Sequence, residues 1–338
     1  MNTSHATPGG TPLLSVRNLG VQIPTRHGVL TALDGVSFDI ARGEILGFVG
    51  ESGAGKSLTG MAVLGLLDSP AHIAQGEIIF DGQPIHALPE ARMRTLRGRR
   101  IGAIFQDPLL SLNPLLTVGD QLTETMRTHL VMDGEEARAR AIEWLRQVGI
   151  PSPAQRVEAY PHQFSGGMRQ RIVIALALCA EPDLVIADEP TTALDVSVQA
   201  QVLELLRSQC RERGTAVLLV THDMGVISEN ADRVAVMYAG RIAEIGPVDQ
   251  IVNRPHHPYT RGLMGSIPPV DQDVQWLQQI DGAMPRLALR PTGCPFHPRC
   301  QHATAQCVVE RPLPHQETAA LVACWHPQRS VAMAGVPA

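Results

Sequence analysis

The sequence predicts an α/β fold with a parallel sheet, and three features lead to that prediction. The apolar strand Ile45–Val49 runs into a glycine-rich loop that opens a helix. Two further apolar strands, residues 184–187 and 216–220, are bounded by polar turns, and the helix-like stretch 198–211 separates them. This strand–helix–strand rhythm is typical of a parallel sheet covered by helices.

The chain length predicts one large domain of ~250 residues and a smaller appendage. Of the 338 residues, 44% are apolar and 18% are charged, which is typical of a folded protein. We expect a disordered N-terminus over residues 1–12 and a main domain over 13–250. Within the main domain, a helical insertion is predicted at about 107–165. A composition richer in Pro, His and Cys indicates a separate C-terminal region over 251–338.

Charge and hydropathy argue against two classes of protein. The net charge of -5 and the lack of a dense Lys/Arg stripe disfavour a nucleic-acid binder. The one basic run, residues 92–100, is interpreted as a solvated face or turn. The sequence has no segment near the ~20 apolar residues of a membrane-spanning helix, and residues 1–12 lack the features of a secretion signal. We therefore expect a cytoplasmic location.

The loop after Ile45–Val49 fits the phosphate-binding pattern Gly-x-x-x-x-Gly-Lys-Ser. Its glycines let backbone N–H groups turn toward phosphates, and the helix that follows adds partial positive charge. Lys56 is expected to meet the β- and γ-phosphates, and Ser57 to bind magnesium. The predicted ATP-binding residues are Gly50, Glu51, Ser52, Gly53, Ala54, Gly55, Lys56, Ser57 and Leu58.

Two carboxylates follow the predicted strand at 184–187. Asp188 and Glu189 stand at the carboxyl end of this strand, where ligands gather in parallel sheets. We expect Asp188 to hold the metal and Glu189 to orient or deprotonate the attacking water.

Several further motifs resemble those of ATP-binding cassette (ABC) proteins. Residues 164–171, Phe-Ser-Gly-Gly-Met-Arg-Gln-Arg, resemble the signature motif that defines the family. Gln106 looks like the Q-loop glutamine, residues 193–195 like the D-loop with Asp195, and His222 like the switch histidine. The resemblance implies an ABC-type P-loop NTPase with a RecA-like core, a helical subdomain and Mg-ATP hydrolysis.

The family resemblance also implies roles for these residues. Two cassettes would close head to tail, so that Ser165, Gly166 and Gly167 serve the nucleotide of the partner. Gln106 would join Ser57 and Asp188 around magnesium, and His222 would contact the γ-phosphate. With Glu189, we therefore count Gln106 and His222 as catalytic.

A closer resemblance, over about residues 13–330, is to the ATPase subunits of oligopeptide and dipeptide importers. It rests on residues 104–114, 160–165 and 255–260, the last of which contains His-Pro-Tyr. It implies peptide uptake, with nickel or another small solute as the alternative. The implied partners are a second related ATPase subunit, two permeases and, indirectly, a substrate-binding protein, at the cytoplasmic face of the inner membrane.

Six cysteines divide into two groups. Cys179 and Cys210 lie in helical stretches and are expected to be buried thiols. Cys294, Cys300, Cys307 and Cys324 cluster in the C-terminal region, and a cytoplasmic location disfavours disulfides. Four thiolates suit an iron–sulfur cluster or zinc, although a tight C-x2-4-C pair is missing. Some members of the peptide-importer branch bind a 4Fe-4S cluster through similarly spaced cysteines, so we favour the cluster, with zinc and unligated thiols as alternatives.

A nucleic-acid or translation ATPase with the same cassette is the rival from another class. A nucleic-acid ATPase of this kind predicts long coiled-coil heptads, and a translation ATPase predicts a second cassette in the chain. The sequence has neither feature. A subunit without turnover is disfavoured because Lys56, Asp188, Glu189 and His222 are all present.

Overall fold

A computed structural model of the chain describes residues 11–191, 194–267 and 279–328. The predicted disorder of residues 1–12 therefore falls almost wholly outside the described residues, as does Ala193 of the expected D-loop. Within the described ranges, no helix combines the length and apolar composition that a membrane span requires.

The strands of the described part are β1 (Leu14–Thr25), β2 (Gly28–Ile40), β3 (Ile45–Val49), β4 (His72–Phe80), β5 (Gln83–Pro84), β6 (Ile101–Ile104), β7 (Leu184–Asp188), β8 (Ala216–Val220), β9 (Arg233–Tyr238), β10 (Arg241–Pro247), β11 (His315–Glu317) and β12 (Ala320–Val322). The α-helices there are α1 (Lys56–Leu64), α2 (Glu90–Leu96), α3 (Pro108–Ser111), α4 (Val118–His129), α5 (Gly134–Gln147), α6 (Pro153–Arg156), α7 (Gly166–Leu178), α8 (Val196–Arg213), α9 (Met224–Asn230), α10 (Val248–Asn253), α11 (Pro258–Gly265) and α12 (Ala305–Val309).

The chain divides into two units, each made of several segments. The first contains residues 1–13, 40–45 and 87–219, and the second contains residues 14–39, 46–86 and 220–338. Residues beyond 251 thus belong to the same unit as the phosphate-binding loop.

The first unit is built on the neighbouring strands β8, β7 and β6. β6 and β7 pair in parallel, with Ile101 opposite Leu184 and Ile104 opposite Ala187. These strands are almost fully buried, as their continuous apolar runs predict for a parallel sheet covered on both faces. The predicted strands at 184–187 and 216–220 and the predicted helix at 198–211 are all present.

Helices α4 and α5 of this unit pack against each other through apolar faces. Leu122 and Met126 of α4 and Ala141 and Leu145 of α5 are fully buried. Their four-residue spacing places each pair on one side of its helix. The polar remainder of both helices is largely exposed.

The basic run at 92–100 begins inside α2 rather than in a turn. Its helix has Glu90 in the first turn and buries Met93, while Arg92 and Arg94 remain exposed as predicted for a solvated face. A negatively charged residue in the first turn and one apolar anchor favour the helical conformation over a turn.

The second unit contains an antiparallel sheet in the order β2-β1-β4-β5 and a second group of strands in the order β11-β12-β10-β9-β3. β3 pairs in parallel with β9, and β10 pairs antiparallel with both β9 and β12. The C-terminal strands β11 and β12 therefore belong to the same group of strands as β3. The phosphate-binding loop begins directly after β3.

Candidate functional site

The predicted phosphate-binding loop lies between β3 and α1, as its motif requires. Gly50 has a φ of 146°, and a Cβ atom there would lie 2.3 Å from the carbonyl oxygen of Met237. Gly55, with a φ of 103°, leads into α1, and a Cβ atom there would lie 2.7 Å from a methyl group of Leu33. Both positions require glycine because a side chain would be strained and would also collide with its neighbours.

Lys56 stands at the start of α1 and is largely buried. Its Nζ donates hydrogen bonds to the carbonyl oxygens of Gly50, at 2.8 Å, and of Glu51, at 3.1 Å. Ser52, Gly53 and Ser57 are exposed. The loop is thus closed on the protein side by the lysine and open to solvent at the positions expected to receive a phosphate and a metal ion.

Glu51 is bound by residues from far along the sequence. Arg299 donates from Nη1 to both carboxylate oxygens of Glu51, at 2.9 and 3.2 Å. The Glu51 N–H donates to the hydroxyl oxygen of Tyr259 at 3.0 Å. Sequence reasoning placed Glu51 in the loop but missed both partners; Tyr259 stands in the His-Pro-Tyr stretch, whereas no motif marks Arg299.

His222 follows β8 and is exposed. The N–H of the preceding Thr221 donates to the carbonyl oxygen of Phe48 at 3.1 Å. Asp223 caps the next helix by accepting from the N–H groups of Gly225 and Val226. His222 therefore lies between a strand end and a helix start, both of which are held by hydrogen bonds.

The first unit brings together Gln106 and the predicted base. The Gln106 side-chain amide donates to a carboxylate oxygen of Glu189 at 3.1 Å. Asp188 ends β7 and is half-buried, like Glu189. Glu189 has a φ of 49°, a left-handed conformation that is uncommon for a residue other than glycine. Such strained positions are concentrated at functional sites.

Ser165 caps the signature helix α7 by accepting a hydrogen bond from the N–H of Met168. Ser165 and Gly166 are exposed, and a Cβ atom on Gly166 would meet nothing within 4 Å. The start of α7 is thus accessible, which suits a helix end that meets an anion. Gln170 of the same helix is buried and donates to the carbonyl oxygen of Pro190 at 2.9 Å, a link between α7 and the Glu189 segment that the sequence did not predict.

Asp195 caps α8 and accepts from the N–H of Val198 and the hydroxyl of Ser197, both at 3.0 Å. These hydrogen bonds lower the pKa of its carboxyl below 3.8, the Val198 N–H contributing most. Asp195 is consequently a charged cap at the start of α8.

The predicted site residues are divided between the two units. The first unit holds Gln106, Asp188, Glu189, Asp195 and the signature, while the second holds the phosphate-binding loop and His222.

Four cysteines of the second unit line one small cavity, as their sequence clustering predicts. They are Cys294, Cys300, Cys307 and Cys324. The Cys294 N–H donates to the Cys307 carbonyl oxygen at 2.8 Å. Burial raises the thiol pKa of Cys294 and Cys300, and that of Cys324 to about 12. The described part of the chain nevertheless contains no group of three or more His, Cys, Asp or Glu side chains arranged to hold a metal ion.

The other two cysteines are also where the sequence predicts them. Cys179 and Cys210 are buried in or beside α7 and α8, and neither is part of a disulfide. Burial raises the Cys179 pKa to about 12, so this thiol stays protonated at neutral pH.

Comparison with known families shows which class of ATPase carries this site. The ABC transporter family model matches residues 33–192, which include the phosphate-binding loop, the signature and the carboxylate pair. With the relatives described next, this match shows that the chain belongs to the ABC transporter family and is an ABC-type ATPase. A second model, described as the oligopeptide/dipeptide transporter C-terminal region, matches residues 243–307.

Two similar curated proteins are peptide transport ATP-binding proteins. The chain is 50% identical over 317 residues to the dipeptide transport ATP-binding protein DppD of Bacillus subtilis, covering 93% of this chain and 94% of the relative. It is 46% identical over 314 residues to the oligopeptide transport ATP-binding protein OppD of Haemophilus influenzae, and the match covers 93% of this chain and 97% of the relative. The predicted resemblance to this branch of the family is confirmed.

Solved structures confirm the cassette fold. The dimeric ATP-binding cassette MJ0796 in a post-hydrolysis state with ADP and phosphate is 29% identical, with a TM-score of 0.64 over 70% of this chain and 98% of that one. The cbiO1 protein of Clostridium perfringens, part of an ABC transporter complex, is 28% identical, with a TM-score of 0.60. That match covers 71% of this chain and 90% of cbiO1.

Proposed function

We propose that this chain is the ATP-hydrolysing subunit that energises import of dipeptides or oligopeptides. The observation that carries the proposal is the joint match to a transporter cassette and to the oligopeptide/dipeptide C-terminal region. The curated relatives that span most of both chains are peptide transport ATP-binding proteins. Import of nickel or another small solute is the alternative within the same branch.

The phosphate-binding loop would hold the triphosphate of ATP. Backbone N–H groups between Gly50 and Leu58, together with the start of α1, supply partial positive charge for the phosphate oxygens. Lys56 would exchange its hydrogen bonds to the loop carbonyls for contacts to the β- and γ-phosphates. Ser57 would contribute its hydroxyl oxygen to magnesium, which neutralises charge on the phosphates during transfer.

Glu189 would act as the base that orients and deprotonates the attacking water. Its hydrogen bond with Gln106 supports this assignment, because the glutamine fixes the carboxylate direction. Asp188 and Gln106 would complete the magnesium ligands begun by Ser57. His222 would contact the γ-phosphate.

The signature residues Ser165, Gly166 and Gly167 would serve the nucleotide of a partner cassette. The accessible start of α7 supports this role, since an anion can approach its N–H groups. Asp195 would lie at the same interface between cassettes. We further propose that the partner is a second, related ATPase subunit and that two membrane permeases, supplied by a substrate-binding protein, complete the transporter at the cytoplasmic face of the inner membrane.

Co-purification and transport together test this proposal. A tagged full-length chain purified from detergent-solubilised membranes should recover a related ATPase subunit and two permeases. Cells with this assembly should accumulate a radiolabelled dipeptide or oligopeptide, and the matched strain with Lys56→Ala should not, because its phosphate site is impaired. Recovery of ribosomes or DNA in place of permeases, or uptake of nickel without peptide uptake, would overturn it.

We also propose that residues 251–338 are a C-terminal region that holds a 4Fe-4S cluster through Cys294, Cys300, Cys307 and Cys324. The chemistry of the four side chains supports this proposal, because the cysteines line one cavity and iron–sulfur clusters are held by cysteine thiolates. Burial keeps three of these thiols protonated without a cofactor, so binding would release protons.

Zinc held by the same four cysteines is the alternative to the cluster, since cysteine thiolates also bind structural zinc.

Elemental analysis of anaerobically purified protein tests the cofactor. We expect about four irons and four sulfides per chain and a brown colour, because iron–thiolate charge transfer absorbs visible light. Replacing any one of the four cysteines with Ser should reduce the iron content. The matched controls Cys179→Ser and Cys210→Ser should retain it. Stoichiometric zinc without iron or sulfide, even after anaerobic reconstitution, would refute the cluster.

A further inference from the structure

The side chain of Arg299 is almost fully enclosed, with 7% of its surface exposed. Besides its two contacts to Glu51, it donates to the carbonyl oxygens of Asp281 at 2.8 Å and Ile280 at 3.2 Å. Its guanidinium also lies 5.8 Å from the ring centre of Tyr238. A planar cation held on several sides loses little freedom when it binds one more group, so the Glu51 contact is pre-organised.

Tyr259 fixes the same residue at its backbone. The tyrosine is fully buried, and its hydroxyl accepts the Glu51 N–H at 3.0 Å. Its ring packs against Tyr238, at 4.6 Å between centroids, and against Phe296, at 5.4 Å. Glu51 is thus held at both its backbone and its carboxylate by residues of the C-terminal region, Arg299 being 248 positions away.

The location of Glu51 gives these contacts a consequence for nucleotide binding. Glu51 is the second residue of the phosphate-binding loop, and its carbonyl oxygen accepts from Lys56. An unpaired carboxylate in this loop would repel the negatively charged triphosphate, whereas a carboxylate paired with arginine presents little net charge. A loop fixed at this residue also needs less reordering when the phosphates bind.

We propose that Arg299 and Tyr259 are positioning residues of the ATP site. Arg299 cancels the charge of Glu51 and fixes its side chain, and Tyr259 fixes its backbone. Neither residue touches the nucleotide; both act through Glu51. The C-terminal region therefore sets the affinity of the chain for ATP, whether or not a metal is bound among its cysteines.

The test measures the Kd of the full-length chain for a fluorescent ATP analogue, with displacement by Mg-ATP. We expect Arg299→Ala to raise the Kd about tenfold, since the lost contact is a charge-assisted hydrogen bond. Arg299→Lys should raise it less, because the charge remains. In the Glu51→Gln background, Arg299→Ala should change the Kd by less than about twofold, because no carboxylate needs pairing. The control is Arg286→Ala, an exposed arginine of the same region.

The assembled transporter separates positioning from general damage. Arg299→Ala and the near-isosteric Tyr259→Phe should raise the KM for ATP and leave kcat at saturating ATP close to wild type. An Arg299→Ala protein with the Kd of Arg286→Ala, or an equal loss in the Glu51→Gln background, would overturn the proposal. If Arg299→Ala does not fold, Arg299→Lys and Tyr259→Phe decide, and unchanged Kd and KM in both would refute it.

Discussion

Glu189 shows what a single residue contributes at this site. Its backbone lies in the left-handed region, and its carboxylate accepts a hydrogen bond from Gln106. A glutamate whose backbone lies in the left-handed region costs conformational energy of the order of 1–3 kcal/mol, so the surrounding structure must hold Glu189 in that conformation. The contact from Gln170 to the next residue, Pro190, is one of the interactions that do so.

Replacing Glu189 with Gln should separate ATP binding from ATP hydrolysis. We expect turnover by the assembled transporter, with the site of the partner disabled, to fall about a hundred- to ten-thousandfold, because the water loses its base. ATP binding should persist, since the phosphate-binding loop is unchanged. Single-turnover hydrolysis of radiolabelled ATP measures the loss. Glu204→Gln, an exposed glutamate of α8, is the control, and near wild-type hydrolysis by Glu189→Gln would contradict the assignment.

Asp34 is a second residue whose role depends on its neighbours. It pairs with Arg241, Arg290 and Arg311, the last at 3.0 Å. Burial alone would raise the pKa of its carboxyl, but the hydrogen bond and charge of Arg241 and the charges of Arg311 and Arg290 outweigh burial and lower the pKa below 3.8. Two of these arginines come from the C-terminal region, so this carboxylate links that region to β2.

The lowered pKa of Asp34 predicts a pH-dependent stability. Since the carboxylate is favoured in the folded state, its contribution is present above the unfolded pKa of about 3.9 and is lost as pH falls through the folded-state value. Asp34→Asn should lower the free energy of unfolding by about 2 kcal/mol at pH 7. The difference from wild type should shrink below about pH 4. Denaturant titrations at several pH values measure it, with the exposed Asp68→Asn as control; a pH-independent gap would exclude this mechanism.

At the scale of elements, β10 anchors the segment that leads into α11. Glu244 of β10 is fully buried, and its carboxylate accepts from the N–H groups of His256 and His257, both at 2.9 Å. Burial raises the pKa of this carboxyl. His257 in turn caps α11 by accepting from the N–H of Tyr259 at 3.0 Å. The His-Pro-Tyr segment is therefore held by one buried carboxylate.

Removing this anchor should destabilise the C-terminal region. Glu244→Ala leaves two buried N–H groups without acceptors, and we expect a loss of about 2–4 kcal/mol in the free energy of unfolding. Hydrogen exchange should locate the loss in α11 and the strands around it. Glu77→Ala, at an exposed position of β4, should change little. Equal stability of the two variants would show that the anchor contributes nothing.

The sequence predicted the strands and helices of the main domain better than it predicted which strands pair with each other. The apolar runs of β3, β7 and β8 and the helical stretch within α8 were visible because strand and helix patterns are local. The pairing of β12 with β10 was not visible, because a three-residue strand carries little periodicity and its partner lies far away in the chain. The Glu244 anchor was missed for a different reason: its partners are backbone N–H groups, which no residue type or spacing marks in the sequence.

At the scale of the whole molecule, the proposed function involves a second cassette as well as this chain. The signature residues Ser165, Gly166 and Gly167 start an accessible helix, which is the arrangement expected if they complete the nucleotide site of another cassette. A solved relative of the fold, the MJ0796 cassette, is dimeric. A single chain would then bind ATP while lacking one wall of its catalytic site.

We therefore expect the isolated chain to be a poor ATPase that becomes active in the assembled transporter. The specific activity of the pure chain should be low and should rise with protein concentration, because shared sites form by association. Addition of the second ATPase subunit and the permeases should raise it further. Steady-state ATPase assays over a range of concentrations measure this. Equal activity in both forms, independent of concentration, would contradict a shared site.

The sequence alone determined the family of this protein. The phosphate-binding loop, the carboxylate pair and the signature are short motifs, and their residue types and spacing suit a ligand that carries phosphates. Only the tertiary structure showed that Gln106 meets Glu189 and that Arg299 and Tyr259 hold Glu51. The physical reason is separation along the chain. A motif consists of neighbouring residues, whereas an ion pair between residues 248 positions apart exists only after folding has brought both partners together.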